Sequence, residues 1–205
     1  MWGDLFLLIA AVISIAIIFW KYPNEVKDIK FTSIIALSIY MLSELMTLLP
    51  FEIITDTSPI LFIISLSLIF VILLMIIRKL KPIVFQYPYP IVFLPLLLPI
   101  AFLFVMDTII VEQIILASIQ SVVIVVLFLI TSGYGNYLEK RGVMYVGLFL
   151  LIVSFVLHWM IKEIVTIEPV FWKILLSIGM VFIIYSLNGL INKKINNPYS
   201  AEVYE

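Results

Sequence analysis

The chain has 205 residues, of which 64% are hydrophobic and only 12% are charged, and its mean hydropathy is +1.26. A soluble globular domain carries about 25% charged residues, so a water-soluble fold would not bury this much apolar surface. The composition therefore predicts an integral membrane protein whose first partner is the lipid bilayer.

Charge and residue usage also exclude several classes of chemistry. The formal charge of -1 provides no basic surface for nucleic acid. The chain has no cysteine for disulfides, thiolate catalysis or iron–sulfur ligation, and its single histidine argues against a zinc or haem site. Phosphate-binding, metalloprotease and serine-hydrolase motifs are all missing from the sequence. We therefore expect a protein without catalytic residues, metal or cofactor.

Seven apolar segments of about 16 to 24 residues follow one another along the chain. Their lengths bracket the ~20 residues that a helix needs to cross a hydrocarbon core of ~30 Å. The sequence thus predicts an all-α, polytopic bundle of seven transmembrane helices spanning 1–191, with a short cytoplasmic tail at 192–205. The predicted helices are 5–20, 31–49, 58–77, 88–106, 108–130, 143–164 and 169–191.

The basic residues alternate between the two sides of these segments. Ten of the twelve Lys and Arg residues fall in alternate loops and the tail, and the exceptions are Lys162 and Lys173. The positive-inside rule then predicts that the N-terminus lies outside the cytoplasmic membrane and the C-terminus in the cytoplasm. An even number of helices would break this alternation. The ten residues are Lys21, Lys27, Lys30, Arg78, Lys79, Lys81, Lys140, Arg141, Lys193 and Lys194.

The stretch from 88 to 120 combines a predicted helix break with polar side chains. Pro95 and Pro99 each lack an N–H, so the fourth predicted helix loses two backbone hydrogen bonds and must kink. The next predicted helix carries Glu112, Gln113 and Gln120. A broken helix beside a carboxylate and amides is typical of membrane binding sites, and is equally compatible with a bend that only serves packing.

Four ionisable residues are expected at one depth near the outer surface. Counting ~1.5 Å per residue from the predicted helix ends puts Glu44, Glu112, His158 and Lys173 roughly 6 to 9 Å below it. Charged groups at such depth usually face a bundle interior or a cavity, which makes these residues and Gln113 candidates for ligand binding or proton relay. Two alternatives remain open: Lys173 snorkels to the headgroups, and His158 belongs to an aromatic belt beside Trp159.

Two functional hypotheses are compatible with these patterns. The first is a non-enzymatic membrane protein with an outward-facing polar pocket, acting as a small-ligand sensor or as a subunit of a larger membrane assembly. The predicted tail is too short for an output domain, so we expect a membrane or cytoplasmic protein partner to carry any signal. The second hypothesis is a transporter of a small solute or proton that uses Glu44, Glu112 and the Pro95/Pro99 break.

Overall fold

The computed structural model describes residues 2–48, 58–80, 88–97, 109–134, 141–164 and 170–196. Within these ranges the chain forms six α-helices, two short 3₁₀ helices at Asn24–Val26 and Tyr89–Leu96, and no strand. The α-helices are α1 (Trp2–Lys21), α2 (Lys27–Leu48), α3 (Ser58–Leu80), α4 (Ile109–Tyr134), α5 (Arg141–Ile164) and α6 (Val170–Asn196).

Each of these six α-helices is long and apolar enough to cross a membrane. Most of their large exposed side chains are apolar, with Trp20 80% and Phe149 64% exposed, as expected for surfaces that face lipid tails. The predicted all-helical, multi-pass membrane bundle is therefore confirmed.

The helices extend beyond the apolar segments that the sequence predicts. α1 begins at Trp2 rather than at Leu5, α2 begins at Lys27 rather than at Phe31, and α6 continues to Asn196. Polar and charged residues in a terminal turn reach the headgroup region, so a helix continues past the end of its apolar run. As a consequence, Asp4 lies inside the first helix and not in front of it.

The fourth predicted segment differs from expectation in its backbone geometry. Its described part, Tyr89–Leu96, is a 3₁₀ helix rather than an α-helix. Prolines at 88, 90 and 95 remove N–H donors that an α-helix would use. The Ile91 N–H instead bonds to the Pro88 carbonyl at 3.0 Å, and this short helix packs against α3. Pro99 lies outside the described residues.

Contacts at both ends of α1 show how it runs relative to its neighbours. Lys173, near the start of α6, bonds to Asp4, and the Asn192 amide near the end of α6 donates to the Lys21 carbonyl at 3.4 Å. α1 and α6 are therefore parallel. α2 is antiparallel to both, because Glu44 near its C-terminal end lies 3.5 Å from Lys173.

The remaining helices also alternate in direction along the chain, except that α3 and α4 run in the same direction. α3 is antiparallel to α2, because Lys79 contacts Asp28 at 2.6 Å while the Ser65 hydroxyl donates to the Ala36 carbonyl at 3.0 Å. α5 is antiparallel to α6, because the Ser154 hydroxyl in the C-terminal half of α5 donates to the Trp172 carbonyl near the start of α6 at 2.8 Å. α4 is antiparallel to α5, because Gln120 in the N-terminal half of α4 accepts a 2.7 Å hydrogen bond from Trp159 near the C-terminal end of α5. α1, α3, α4 and α6 thus run in one direction, and α2 and α5 in the other.

This arrangement gives the bundle two chemically different ends. We call the end at which α1, α3, α4 and α6 begin the Lys173 end. We call the opposite end the basic end, because all the basic side chains that the structure describes except Lys173 belong to it. They are Lys21, Lys27, Lys30, Arg78, Lys79 and Arg141.

The six helices form a closed ring. α1 packs against α2 and α6, α3 packs against α2 and α4, and α5 packs against α4 and α6. A central cavity of about 110 Å³ lies within the ring and is lined mainly by apolar side chains from all six helices. α5 and α6 approach closely at Gly147 and Gly179, where a Cβ atom on either glycine would lie 3.0 Å from an atom of the other helix.

Candidate functional site

A buried cluster of three charged side chains lies at the Lys173 end. The Lys173 ammonium donates to Asp4 on α1 and lies 3.5 Å from the Glu44 carboxylate on α2. The side chains of Asp4, Glu44 and Lys173 are only 11%, 8% and 15% exposed. We refer to these three residues as the charged triad.

Local sequence features explain why the triad assembles. Asp4 lies in the first turn of α1, where the positive end of the helix dipole favours a carboxylate. Gly3 beside it allows α6 to approach, since a Cβ atom on Gly3 would lie 2.9 Å from Cδ and 3.1 Å from Cβ of Lys173. The lysine chain therefore passes over Gly3 and reaches two carboxylates, instead of extending alone to the headgroups.

The triad groups two carboxylates around the Lys173 ammonium in a region with little access to water. Charged groups buried within a membrane protein are rare and commonly mark proton or ligand sites. The triad is therefore a candidate ligand or proton site.

Tyr40 connects the triad to the central cavity. It lies four residues before Glu44 on the same face of α2, its side chain is 3% exposed, and it lines the cavity. Its ring packs against Phe62 with 5.8 Å between the ring centroids. Its hydroxyl is buried, makes no hydrogen bond of regular geometry within the described residues, and faces the Glu44 carboxylate. A tyrosine hydroxyl thus lies at the boundary between the charged triad and the cavity.

Tyr22 lines the cavity near the basic end. The Tyr22 hydroxyl, between α1 and α2, donates to the Ile184 carbonyl of α6 at 3.3 Å. Burial raises the pKa of the Tyr22 phenol far above its usual range, so this group is a neutral donor. Between Tyr22 and Tyr40 the wall is formed by apolar side chains and Ser33, among them Leu66, Phe155 and Met180.

A group of aromatic and amide side chains connects the triad to α4. His158 lies between the rings of Trp159 and Trp172, at centroid distances of 5.3 and 4.5 Å, and the Lys173 ammonium lies 5.4 Å from the Trp172 ring centroid. Trp159 in turn donates to Gln120, a buried side chain of α4. Trp172 therefore contacts both His158 and the Lys173 ammonium of the triad.

A separate charged group lies at the basic end. Lys79 pairs with Asp28 at 2.6 Å, and the Tyr89 hydroxyl lies 3.4 Å from the second Asp28 oxygen. Partial burial and the neighbouring Asp28 carboxylate raise the pKa of Tyr89. The Lys79 and Asp28 side chains are 39% and 33% exposed, so this pair is an interfacial contact and not an enclosed site.

The structure brings some of the predicted site residues together and not others. Glu44 and Lys173 meet in the triad, and His158 joins them through Trp172. Gln113 is half-buried near the start of α4, and the side chain of Glu112 lies outside the described part of the structure. Pro95 packs into the 3₁₀ helix beside α3 and does not line the cavity.

Asp4 and Tyr40 are the site residues that the sequence analysis missed. Asp4 precedes the first predicted helix, 5–20, so hydropathy alone leaves it outside the bundle. Tyr40 carries no charge, but its spacing of four residues from Glu44 places the two on one helix face, and this spacing could have identified it.

The fold and this site together define a polytopic helical membrane protein with a buried charged triad near one end of a central apolar cavity. No protein-family model, curated protein or solved structure matches the chain. In the described ranges, no group of three or more His, Asp or Glu side chains is placed to hold a metal ion.

Proposed function

We propose that this protein is a non-enzymatic protein of the cytoplasmic membrane that binds a small ligand from the outer face. In this role it acts as a sensor or as a subunit of a larger membrane assembly. The charged triad beside the central cavity carries the proposal, because convergent polar groups at one end of an apolar cavity are the usual composition of a small-molecule site.

The proposed orientation places the Lys173 end outside and the basic end in the cytoplasm. Six of the described basic side chains cluster at one end of the bundle, which supports this orientation through the positive-inside rule. The triad then faces the outer leaflet, as an outward-facing pocket requires.

A seventh pass is part of the same proposal. α3 ends at the basic end and α4 begins at the Lys173 end, so the directions of these helices support one further crossing between Leu80 and Ile109. Topology reporters inserted after Leu80 and before Ile109 should report cytoplasm and exterior, respectively. Two reporters on the same side would contradict the seventh pass without affecting the triad.

A transporter of a small solute or proton is the second candidate. The buried carboxylates of the triad favour it, because a buried acid that exchanges a proton with a ligand is a common element of coupled transport. The described part of the Pro95/Pro99 segment does not line the cavity, so the buried carboxylates, rather than the helix break, support this alternative.

Thermal stability in detergent tests the binding proposal directly. A panel of small amines, amino acids, carboxylic acids and neutral alcohols is screened for compounds that raise the unfolding temperature, since a ligand stabilises the state to which it binds. We expect saturable stabilisation of the wild type that is reduced in Glu44→Gln. The matched control is Lys79→Met, which removes the ion pair at the basic end and should retain the effect.

Flux measurements on the same compounds separate the two candidates. Proteoliposomes with an internal pH-sensitive dye are given each stabilising compound. Saturable binding without solute or proton movement supports the sensor or subunit, and uptake coupled to protons supports the transporter. Failure of every compound to stabilise the wild type more than Glu44→Gln would refute a ligand site at the triad.

A further inference from the structure

The central cavity has a wall chemistry of its own, separate from the charged triad. None of Asp4, Glu44 and Lys173 lines it, whereas apolar side chains from all six α-helices do. We infer that the cavity binds a small, uncharged hydrocarbon molecule. This inference goes beyond the proposed function, because the site contains no residue of the triad and its ligand has no polar group for the triad to recognise.

The wall offers a ligand almost no hydrogen-bonding group. Among the described residues that line the cavity, only Tyr22, Ser33 and Tyr40 carry a hydroxyl. The Tyr22 hydroxyl donates to the Ile184 carbonyl, and the Tyr40 hydroxyl faces the Glu44 carboxylate. A water molecule held in a protein interior makes about two to four hydrogen bonds, which the Ser33 hydroxyl alone does not provide. The wall therefore favours an apolar ligand over water, and a polar ligand would lose hydrogen bonds on entering.

An apolar cavity of this size leaves packing interactions unused. Protein interiors are close-packed and contain few voids larger than a water molecule, whereas this cavity measures about 110 Å³. Atoms that line such a void lack dispersion partners on one side. A molecule that fills the space supplies these partners to all six helices at once, so its binding should stabilise the ring of helices.

The volume of the cavity limits the size of the ligand. An apolar protein cavity of ~150 Å³ stays dry and binds benzene or xenon. On the same scale, a volume of about 110 Å³ accommodates roughly four or five carbon atoms. The acyl chain of a membrane lipid is several times longer, so the ligand is a free molecule. Phe62, Phe155 and Met180 contribute polarisable surfaces to the wall, which suit a ligand held by dispersion alone.

Three five-membered rings of similar size and different polarity test the inference. Cyclopentane, tetrahydrofuran and pyrrolidinium are titrated into purified full-length protein that is equilibrated with xenon, at one fixed micelle concentration. Xenon-129 NMR measures the bound xenon and its displacement. We expect saturable xenon binding. At equal concentration in the micelle, cyclopentane should displace xenon at least about tenfold more effectively than tetrahydrofuran, and pyrrolidinium should not displace it, because an ether oxygen or a charge loses its hydration on entering.

Two substitutions in the wall connect this binding to the cavity. Val123 is a buried wall residue of α4, so the larger side chain of Val123→Phe should fill the cavity and abolish xenon binding. The matched control is Val125→Phe, which makes the same change on the same helix at a position that is 55% exposed, and it should bind xenon like the wild type. Leu66→Ala enlarges the cavity from α3, so its affinity for benzene should rise about tenfold over the wild type.

Four results would overturn the inference. They are the absence of saturable xenon binding to the wild type, equal xenon binding by Val123→Phe and Val125→Phe, displacement by tetrahydrofuran as effective as displacement by cyclopentane, and an unchanged benzene affinity in Leu66→Ala.

Glu44→Gln separates this inference from the proposed function. Because Glu44 does not line the cavity, the variant should bind xenon and cyclopentane like the wild type while it loses the stabilisation that the triad provides to a polar ligand. Loss of xenon binding in Glu44→Gln would overturn the separate apolar site. Failure of every polar compound to stabilise the wild type would refute the ligand site at the triad and leave xenon binding in the cavity unchanged.

Discussion

Lys173→Met is the substitution that tests the triad most severely. It removes the ammonium that contacts both carboxylates of a cluster in which Asp4, Glu44 and Lys173 are 11%, 8% and 15% exposed. Loss of one partner from a buried ion pair typically lowers the free energy of unfolding by about 3–5 kcal/mol. We expect a loss in this range for Lys173→Met.

A double-mutant cycle separates the pairing from other effects of the substitution. Glu44→Gln alone leaves Asp4 paired with Lys173, so we expect a small loss in the free energy of unfolding, about 1 kcal/mol. In the double variant only Asp4 remains charged, and the total loss should be smaller than the sum of the single losses by about 1–2 kcal/mol. The Asp4→Asn and Lys173→Met cycle should show the larger coupling, because Asp4 is the closer partner of the ammonium.

The free energy of unfolding is measured by reversible unfolding in mixed micelles, in which the fraction of denaturing detergent is raised stepwise. The half-exposed Lys79–Asp28 pair provides a matched cycle at the basic end, where coupling should stay below about 1 kcal/mol. Losses in the triad cycle that add to within about 0.5 kcal/mol would refute the pairing, and so would equal coupling in the two cycles.

Two further predictions concern hydroxyl groups and helix contacts. Tyr22→Phe should lower the free energy of unfolding by about 1 kcal/mol, because its hydroxyl bonds to the Ile184 carbonyl, while Tyr40→Phe should be neutral or stabilising. The same unfolding assay compares the two variants. A larger loss for Tyr40→Phe than for Tyr22→Phe would contradict the hydrogen bonding assigned to these hydroxyls. Gly179→Ala should destabilise by about 1–3 kcal/mol, since its new methyl group would lie 3.0 Å from a backbone oxygen of α5, whereas Gly142→Ala meets nothing within 4 Å and should be neutral or slightly stabilising. Equal stability of these two alanine variants would show that α5 and α6 do not cross at the glycines.

Much of the membrane architecture could be predicted, because hydropathy and the alternation of basic residues can be read from neighbouring residues in the chain. Segment lengths identify the spanning helices, and the loops carrying Lys21, Arg78 and Arg141 fall at one end of the bundle as the alternation indicates. Helix ends were less predictable. Asp4 is polar and yet helical, because α1 continues into the headgroup region where Lys173 pairs with it.

The depth of the site residues below the membrane surface could be predicted from the sequence. The direction in which each side chain points around its helix axis could not. Counting residues from the helix ends put Glu44, His158 and Lys173 at one level, but it could not show that Trp172 contacts both His158 and Lys173. It also could not show that Gly3 lets α6 approach α1 closely enough for Lys173 to reach Asp4. These features depend on packing between residues distant in the chain. The 3₁₀ geometry around Pro95 likewise reflects lost backbone donors that a hydropathy pattern does not register.

Thiol accessibility at position 44 tests most directly the central claim that the triad forms an outward-facing pocket. The chain contains no cysteine, so Glu44→Cys introduces a single reactive thiol and leaves Asp4 and Lys173 as a balanced pair. A membrane-impermeant cationic methanethiosulfonate applied to right-side-out vesicles should modify Glu44→Cys from the exterior, while Lys79→Cys at the basic end should react only when the reagent reaches the cytoplasmic face. A Glu44→Cys thiol that stays unmodified from the exterior, or reacts only from the cytoplasmic face, would contradict the account.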